Sequence, residues 1–218
     1  MKPVLDMPNP SRLEDWRCLA PGAFAARPFS SAQCQDLLAQ IVAGKAFSSV
    51  PREQPNSMHN YGMVVNNPEL SAQLACLPDT WLATVIPTLF PHLPGVRFGD
   101  QHAFMVFYGE DAERELALHV DASHITLNIC LENDAQGGEI NFTGARCARH
   151  VNEPPDRITV SHRFEPGDVL LHVGNQRHHV SPLRGGRRRN LLVWYRLETE
   201  VFDHSNSWVQ SICATCSA

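Results

Sequence analysis

His119 and Asp121 stand two residues apart in ELALHVDASHITLNICL, the run from Glu115 to Leu131. In a β-strand residues i and i+2 share a face, so the imidazole and the carboxylate would converge on one point. That is half of a metal site. A second stretch, NQRHHVSPLRGGRRRNLLVWYR from Asn175 to Arg196, supplies two adjacent histidines, His178 and His179, and then the arginines 187 to 189. Two imidazoles and one carboxylate on one side of a cation leave its other positions open, a donor set suited to a non-haem Fe(II) centre. Neighbours in extended chain face opposite ways, so at most one of His178 and His179 can join the set. The same alternation groups Arg188, Asn190, Leu192 and Trp194 on one face and puts Arg187 and Arg189 on the other. Arg188 can therefore point inward, as partner to an acidic ligand, while its neighbours stay wet.

Taken singly, each feature has a plainer reading. A His-x-Asp pair in a strand is more often just a hydrogen-bonded pair, and three successive arginines more often form a solvated patch. His102, His124, His162, His172 and His179 read as surface or hydrogen-bonded core histidines. Cys213-x-x-Cys216 lacks a second pair, or a histidine at zinc-finger spacing, and reads as part of a frayed tail.

The pair and the arginine need strands to aim them, and the chain supplies strands from Gly99 onward. HAFMVFYG, ELALHVD, HITLNICL, GGEINFTG, RITVSHRF, DVLLHV and RRNLLVWYR are short β-rich runs separated by turns such as Gln136–Gly137–Gly138 and Pro166–Gly167–Asp168. Such spacing predicts a sandwich or jelly roll rather than βαβ units. Between Ile125 and Leu131 the odd positions are apolar and Thr126, Asn128 and Cys130 are small or polar, so one face packs on a support and the other lines a cavity. Upstream, Ser30 or Ser31 can cap a helix through about Ala43 with Gly44 as its stop. Tyr61 to Val65 is strand-like. A second helical region runs from about Pro68 to His92, broken or kinked near Pro78 and Pro87. The expected organisation is a single domain over 1–218: an extended arm (1–28), helical support and loops (29–98), the β core (99–197) and a tail (198–218).

With 218 residues the chain can bury a substantial core. A net charge of −5 and one short basic run give no general attraction for nucleic acid or anionic membrane. No stretch has the length of an apolar membrane span, and the N-terminus lacks the apolar core of a secretion signal. Seven cysteines, an odd number, fit a reducing compartment, and a cytoplasmic location is expected.

His119-x-Asp121-x-Ser123, Thr126-x-Asn128, Gly137–Gly138–Glu139, then His178, Pro182, Gly186-x-Arg188 and Trp194 together resemble the Fe(II)/2-oxoglutarate dioxygenases of the prolyl and lysyl hydroxylase type. The likeness spans roughly residues 100 to 196. The Pro55 to Gly62 segment, Arg146–Cys147 and His150–Val151 resemble the same relatives. In that family the distal histidine precedes the G-x-R arginine by ten positions, which selects His178 over His179. The resemblance implies a double-stranded β-helix, cupin-like core with N-terminal supporting helices. It implies His119, Asp121 and His178 as iron ligands, Arg188 as anchor of 2-oxoglutarate, Tyr108 as a further hydrogen bond to it, and Asn128 and Trp194 lining the same cavity. Fe(II), 2-oxoglutarate and O2 would be needed, with an ascorbate requirement open. The implied reaction is hydroxylation of a prolyl or lysyl side chain with release of succinate and CO2, and Asp121 favours it over halogenation, since related halogenases carry a small residue there. A small-molecule hydroxylase or an inert cupin-like binding protein are the alternatives, and the oligomeric state is not legible.

Overall fold

The computed structural model describes residues 15–42, 51–93, 97–154, 160–198 and 207–216. The elements in chain order are β1 (Arg17–Ala20), β2 (Ala23–Ala26), α1 (Ser31–Val42), β3 (Gly62–Val64), α2 (Pro68–Cys76), α3 (Val85–Leu89), β4 (Phe98–Tyr108), β5 (Leu116–His119) and β6 (Ile125–Asn133). There follow β7 (Gln136–Gly137), β8 (Ile140–Ala145), β9 (Val160–His162), β10 (Val169–Val173), β11 (Gln176–Val180), β12 (Leu183–Gly185), β13 (Arg188–Leu197) and α4 (Ser207–Ile212). A seven-stranded sheet has the order β1-β2-β10-β6-β13-β4-β3, a four-stranded sheet the order β5-β11-β8-β9, and β12 pairs with β7. The strands pair antiparallel throughout, giving the strand-rich jelly roll the sequence predicts.

The alternation in β6, β10 and β13 decides which side of the large sheet does what. Ile125, Leu127, Ile129, Val169, Leu171, Leu191 and Val193 join the helices in one apolar core. Their alternates face the four-stranded sheet: Cys130 and Leu170 pack with Phe142 and Phe164, while Leu192 and Trp194 pack with Phe104, Val106 and Tyr108. One face thus binds the support and the other encloses a chamber.

Helix α1 starts with a capping box, in which Ser30 Oγ accepts from Gln33 N at 3.3 Å and Gln33 Oε1 accepts from Ser30 N at 2.9 Å. It buries Cys34, Leu37 and Ile41. The expected stop at Gly44 lies outside the described residues. Helix α2 is capped by Asn67, whose side chain accepts from Leu70 N. It ends two residues before Pro78. Pro87, expected as a second break, instead sits in the first turn of α3, where its missing N–H has no intrahelical partner to lose. Tyr195 Oη, from the outer face of β13, donates to Leu74 O at 2.9 Å and ties α2 to the sheet.

Two segments differ from expectation. The described part of the N-terminal arm is a hairpin, β1 and β2, whose inner strand pairs with β10 from Ala26↔Val169 to Ala23↔His172. The described part of the tail carries α4 and then Cys213, which is fully buried and bridges to Ala145 at the end of β8.

Candidate metal centre

The two histidines meet because β5 and β11 pair with His119 directly opposite His178. Their ring centroids lie 4.1 Å apart. Asp121 follows the end of β5 and turns its Oδ1 to within 3.6 Å of His119 Nε2 and 3.9 Å of His178 Nε2. The three donor atoms form one cluster. His119 Nδ1 donates to Ala117 O at 2.7 Å and His178 Nδ1 to Gln176 O at 2.8 Å. A carbonyl only accepts, so each ring carries its proton on Nδ1 and aims the Nε2 lone pair at the cluster. The tautomers a metal requires are thus fixed by backbone.

Asp121 is held from the other sheet. Thr126 Oγ1 on β6 donates to Asp121 Oδ2 at 2.6 Å and lies 2.8 Å from Ser123 Oγ, while Asp121 N donates to Gly174 O at 3.0 Å. Burial alone would raise this carboxyl, but His178, His119 and His172 around it hold it well below the usual carboxylate range. Burial, helped by His119, holds His178 well below the ordinary imidazole value. A carboxylate and a neutral imidazole are the forms that bind a cation.

Strand β11 shows why neighbouring histidines differ: His178 is buried and His179 half-buried on the opposite face. The same alternation sorts the arginines of β13 and its approach. Arg188 is 2 % exposed, whereas Arg187 and Arg189 lie outside and share Glu132 at 2.7 and 3.3 Å. Arg188 pairs in register with Tyr108 on β4 and its guanidinium sits 4.4 Å from that ring's centroid and 5.0 Å from that of Phe164. One of its NH2 groups donates to Gly138 O, which the Gly137–Gly138 turn presents with φ of +79° and +72°. Its buried Nε has no protein partner. An enclosed guanidinium with a spare donor is what an anionic ligand would complete.

Trp194, also inward, packs edge-on against Phe104 at 5.1 Å and leaves a buried Nε1 without a partner. Asn128 Oδ1 accepts from Asn190 Nδ2 at 2.6 Å on the same face. Of the histidines set aside from the sequence, His102, His124 and His162 bond to Pro55 O, Leu197 N and Asp168 respectively, away from the cluster. His172 lies closer. It is fully enclosed with Nε2 3.6 Å from Asp121 Oδ2, on the chamber wall formed by β10.

His59 was not singled out by its sequence, and the structure sets it in the same chamber. It is 3 % exposed, its Nε2 is 3.3 Å from Tyr108 Oη and its Nδ1 is 3.1 Å from Asn56 Oδ1. Burial pushes it down to about 4 and Tyr108 up to about 12, so both are neutral at pH 7. The only sequence signal was the Pro55 to Gly62 segment that contains it.

The fold and the cluster define a jelly-roll protein with a donor set suited to Fe(II), two imidazoles and one carboxylate, and a buried cation beyond them. No protein-family model matches the chain. It is 33 % identical over 183 residues to the 2-oxoglutarate and iron-dependent oxygenase domain-containing protein ICU11 of Arabidopsis thaliana, covering 82 % of this chain and 46 % of that protein. To the 2-oxoglutarate and iron-dependent oxygenase domain-containing protein 2 of Homo sapiens it is 33 % identical over 170 residues, 77 % of this chain and 47 % of that protein. It spans about half the length of these relatives. A prolyl-4-hydroxylase of Pseudomonas putida shares the fold with a TM-score of 0.55 at 16 % identity, over 81 % of this chain and 93 % of that one. The sequence relatives are thus named for a 2-oxoglutarate and iron-dependent oxygenase domain, and the solved structures that share the fold include a prolyl-4-hydroxylase. The site's residues suit that pair of groups: three donors for the iron, and a buried guanidinium with a spare donor for the dicarboxylate.

Proposed function

We propose that the chain is an Fe(II)- and 2-oxoglutarate-dependent hydroxylase acting on an unactivated C–H bond, in a prolyl or lysyl side chain of a peptide or protein. One oxygen atom of O2 would enter the substrate as hydroxyl and the other would leave in succinate, with CO2 released. In this reading His119, Asp121 and His178 hold the iron, whose bound chemistry activates O2. Arg188 binds the distal carboxylate of 2-oxoglutarate, Tyr108 adds a hydrogen bond, and Asn128 and Trp194 line the chamber beside it. The observation that carries the proposal is Arg188, a cation buried in an otherwise largely apolar sandwich with a donor left uncommitted. An inert barrel has no use for it. The peptide class rests on the resemblance to prolyl hydroxylases and on the prolyl 4-hydroxylases among the structural neighbours.

The layering of the described elements around one chamber supports a single catalytic unit. All seven cysteines are free, which supports the cytosol as its compartment, and among the described residues no helix is long and apolar enough to cross a membrane.

Anaerobic titration with Fe(II) and then 2-oxoglutarate should produce the visible metal-to-ligand charge-transfer band of the chelated cosubstrate. His119→Ala, Asp121→Ala and His178→Ala should each abolish it, while His179→Ala keeps it. A dead His179→Ala beside an active His178→Ala would overturn the ligand assignment. Succinate release against peptide and metabolite panels, with and without ascorbate, then tests the substrate class: turnover by metabolites alone would replace the peptide reading with a small-molecule one.

A further inference from the structure

We propose that the protein holds a second, structural metal, a zinc ion bound by Cys147, His150, Cys213 and Cys216. This goes beyond the hydroxylase reading and does not depend on it. Cys213-x-x-Cys216 lacked a partner pair in the sequence, and the fold supplies one. Bridging of Cys213 to Ala145, with Ala214 N donating to Ala145 O at 3.1 Å, brings the tail against the turn that follows β8. That turn is Cys147-x-x-His150, closed by His150 N donating to Cys147 O at 2.9 Å, and Cys216 N likewise donates to Cys213 O at 3.1 Å. Two short turns from opposite parts of the chain therefore face one another with two ligands each.

The distances are those of a tetrahedron's edges. His150 Nδ1 lies 3.4 Å from Cys147 Sγ, 3.4 Å from Cys213 Sγ and 3.5 Å from Cys216 Sγ, and Cys147 Sγ is 3.8 Å from Cys216 Sγ. With Zn–S of about 2.3 Å and Zn–N of about 2.0–2.1 Å, tetrahedral geometry sets S···S at about 3.8 Å and S···N at about 3.5–3.6 Å. A hydrogen-bonded cluster does not explain the pattern. Nδ1 offers one proton or one lone pair, yet three sulfurs converge on it, so at most one contact could be a hydrogen bond. A disulfide does not explain it either, since the bonded distance is about 2.05 Å.

The remaining ring nitrogen has a carboxylate nearby. His150 Nε2 faces Glu153 Oε1 at 3.9 Å, and Glu153 Oε2 is itself fixed by Thr215 Oγ1 at 2.8 Å. Three thiolates and one imidazole form a closed set with no open position, which marks a structural rather than a catalytic centre, and the soft sulfurs select zinc over the Fe(II) suited to the nitrogen and oxygen donors of the other cluster. The ion would pin the tail to the 146–154 segment, whose Glu153 O and Val151 O accept from Arg177, the neighbour of His178 on β11. The zinc clip thus buttresses the strand that carries an iron ligand.

The full chain, purified under reducing conditions from cells supplied with zinc, should carry about one equivalent of zinc by mass spectrometry. It should keep that zinc after a ferrous chelator strips the iron, and in the His119→Ala variant. Cys216→Ser, at the exposed ligand, should weaken zinc at least 100-fold in a competition titration with a chromogenic chelator. Cobalt(II) added to zinc-stripped, reduced protein should give the intense visible bands and near-ultraviolet sulfur charge transfer of a tetrahedral thiolate site. Zinc-free protein that also gives no such cobalt spectrum would overturn the proposal, as would zinc that disappears with His119→Ala or is held equally by Cys216→Ser. Intact-mass evidence of a disulfide among Cys147, Cys213 and Cys216 in freshly isolated protein would do the same.

Discussion

Arg188→Met should separate cosubstrate binding from folding and move the two in opposite directions. The native side chain is 2 % exposed, donates to Gly138 O, and leaves its Nε unpaired beside the rings of Tyr108 and Phe164. Burial lowers its proton affinity, though Tyr108 opposes the shift. Without a dicarboxylate, the fold therefore bears the cost of a poorly compensated buried charge. Replacing such a charge with an apolar side chain of similar length is neutral to stabilising by about 1–4 kcal/mol. At about 2–4 °C per kcal/mol for a chain of this size, the melting temperature of the cosubstrate-free protein should hold or rise by several degrees. The bound carboxylate, in contrast, loses its partner at a cost of about 3–5 kcal/mol, or about 10² to 10³-fold or more in affinity. Anaerobic calorimetric titration of 2-oxoglutarate into the Fe(II)-loaded protein measures that loss, and thermal scans with and without 2-oxoglutarate should show a ligand-induced rise in wild type only. Arg187→Ala and Arg189→Ala, whose guanidinium groups share Glu132 on the outer face, should bind 2-oxoglutarate as wild type does. Equal small effects at all three arginines, or a destabilised Arg188→Met that still binds 2-oxoglutarate normally, would refute the reasoning.

Thr126→Val removes the hydroxyl that donates to Asp121 Oδ2 at 2.6 Å, and Fe(II) affinity, followed by quenching or competition, should fall about 10- to 100-fold with little change in fold. Gly174→Ala would place a Cβ 1.8 Å from Ser123 O, so the loop carrying Asp121 must move. A loss of about 1–3 kcal/mol in denaturant unfolding, with a larger relative loss of iron binding than Thr126→Val, is expected. Asp168 accepts from Arg27, His162 and Glu165 N. Burial would raise its carboxyl, but these partners lower it below its ordinary value. The stability it contributes is then present above its unfolded value of about 3.9 and lost as pH falls through the lower folded value, so acid unfolding should flatten in Asp168→Asn over that window.

Where side chains alternate, the chain could be read from its letters. The apolar odd positions of β6 and the inward even positions of β13 depend only on the two-residue period of a strand, which is local. The inward turn of Arg188 was legible for that reason; the convergence of His119 and Asp121 was expected from a strand through both, whereas β5 ends at His119 and Asp121 is aimed by Thr126 and Gly174. The β1–β2 hairpin was not, because RCLAPGAFAA is rich in small residues with weak strand preference, and its extended state comes from pairing with β10, far away in sequence. His59 sits in a Pro- and Asn-rich segment without a period, so nothing local points it at Tyr108. Cys147 with His150 and Cys213 with Cys216 are each a short spacing that means little alone. Only β8 and the tail, brought together by the fold, make them one cluster.

His119 and His178 belong to the four-stranded sheet, while Asp121 is steadied by Thr126 and Gly174 on the side of the seven-stranded one. The donor cluster thus straddles the seam between the layers, and in the proposed reading the gap between the sheets would act as a ruler for the ion. Metal–ligand bonds tolerate only about 0.2 Å, and a close-packed interior barely compresses. Side chains that set the gap, such as Phe142 packed beside the rings of both His172 and His178, would therefore tune the metal without touching it. A bound ion would rivet the two layers, so sliding of one sheet over the other would be lost from the motions of the loaded protein.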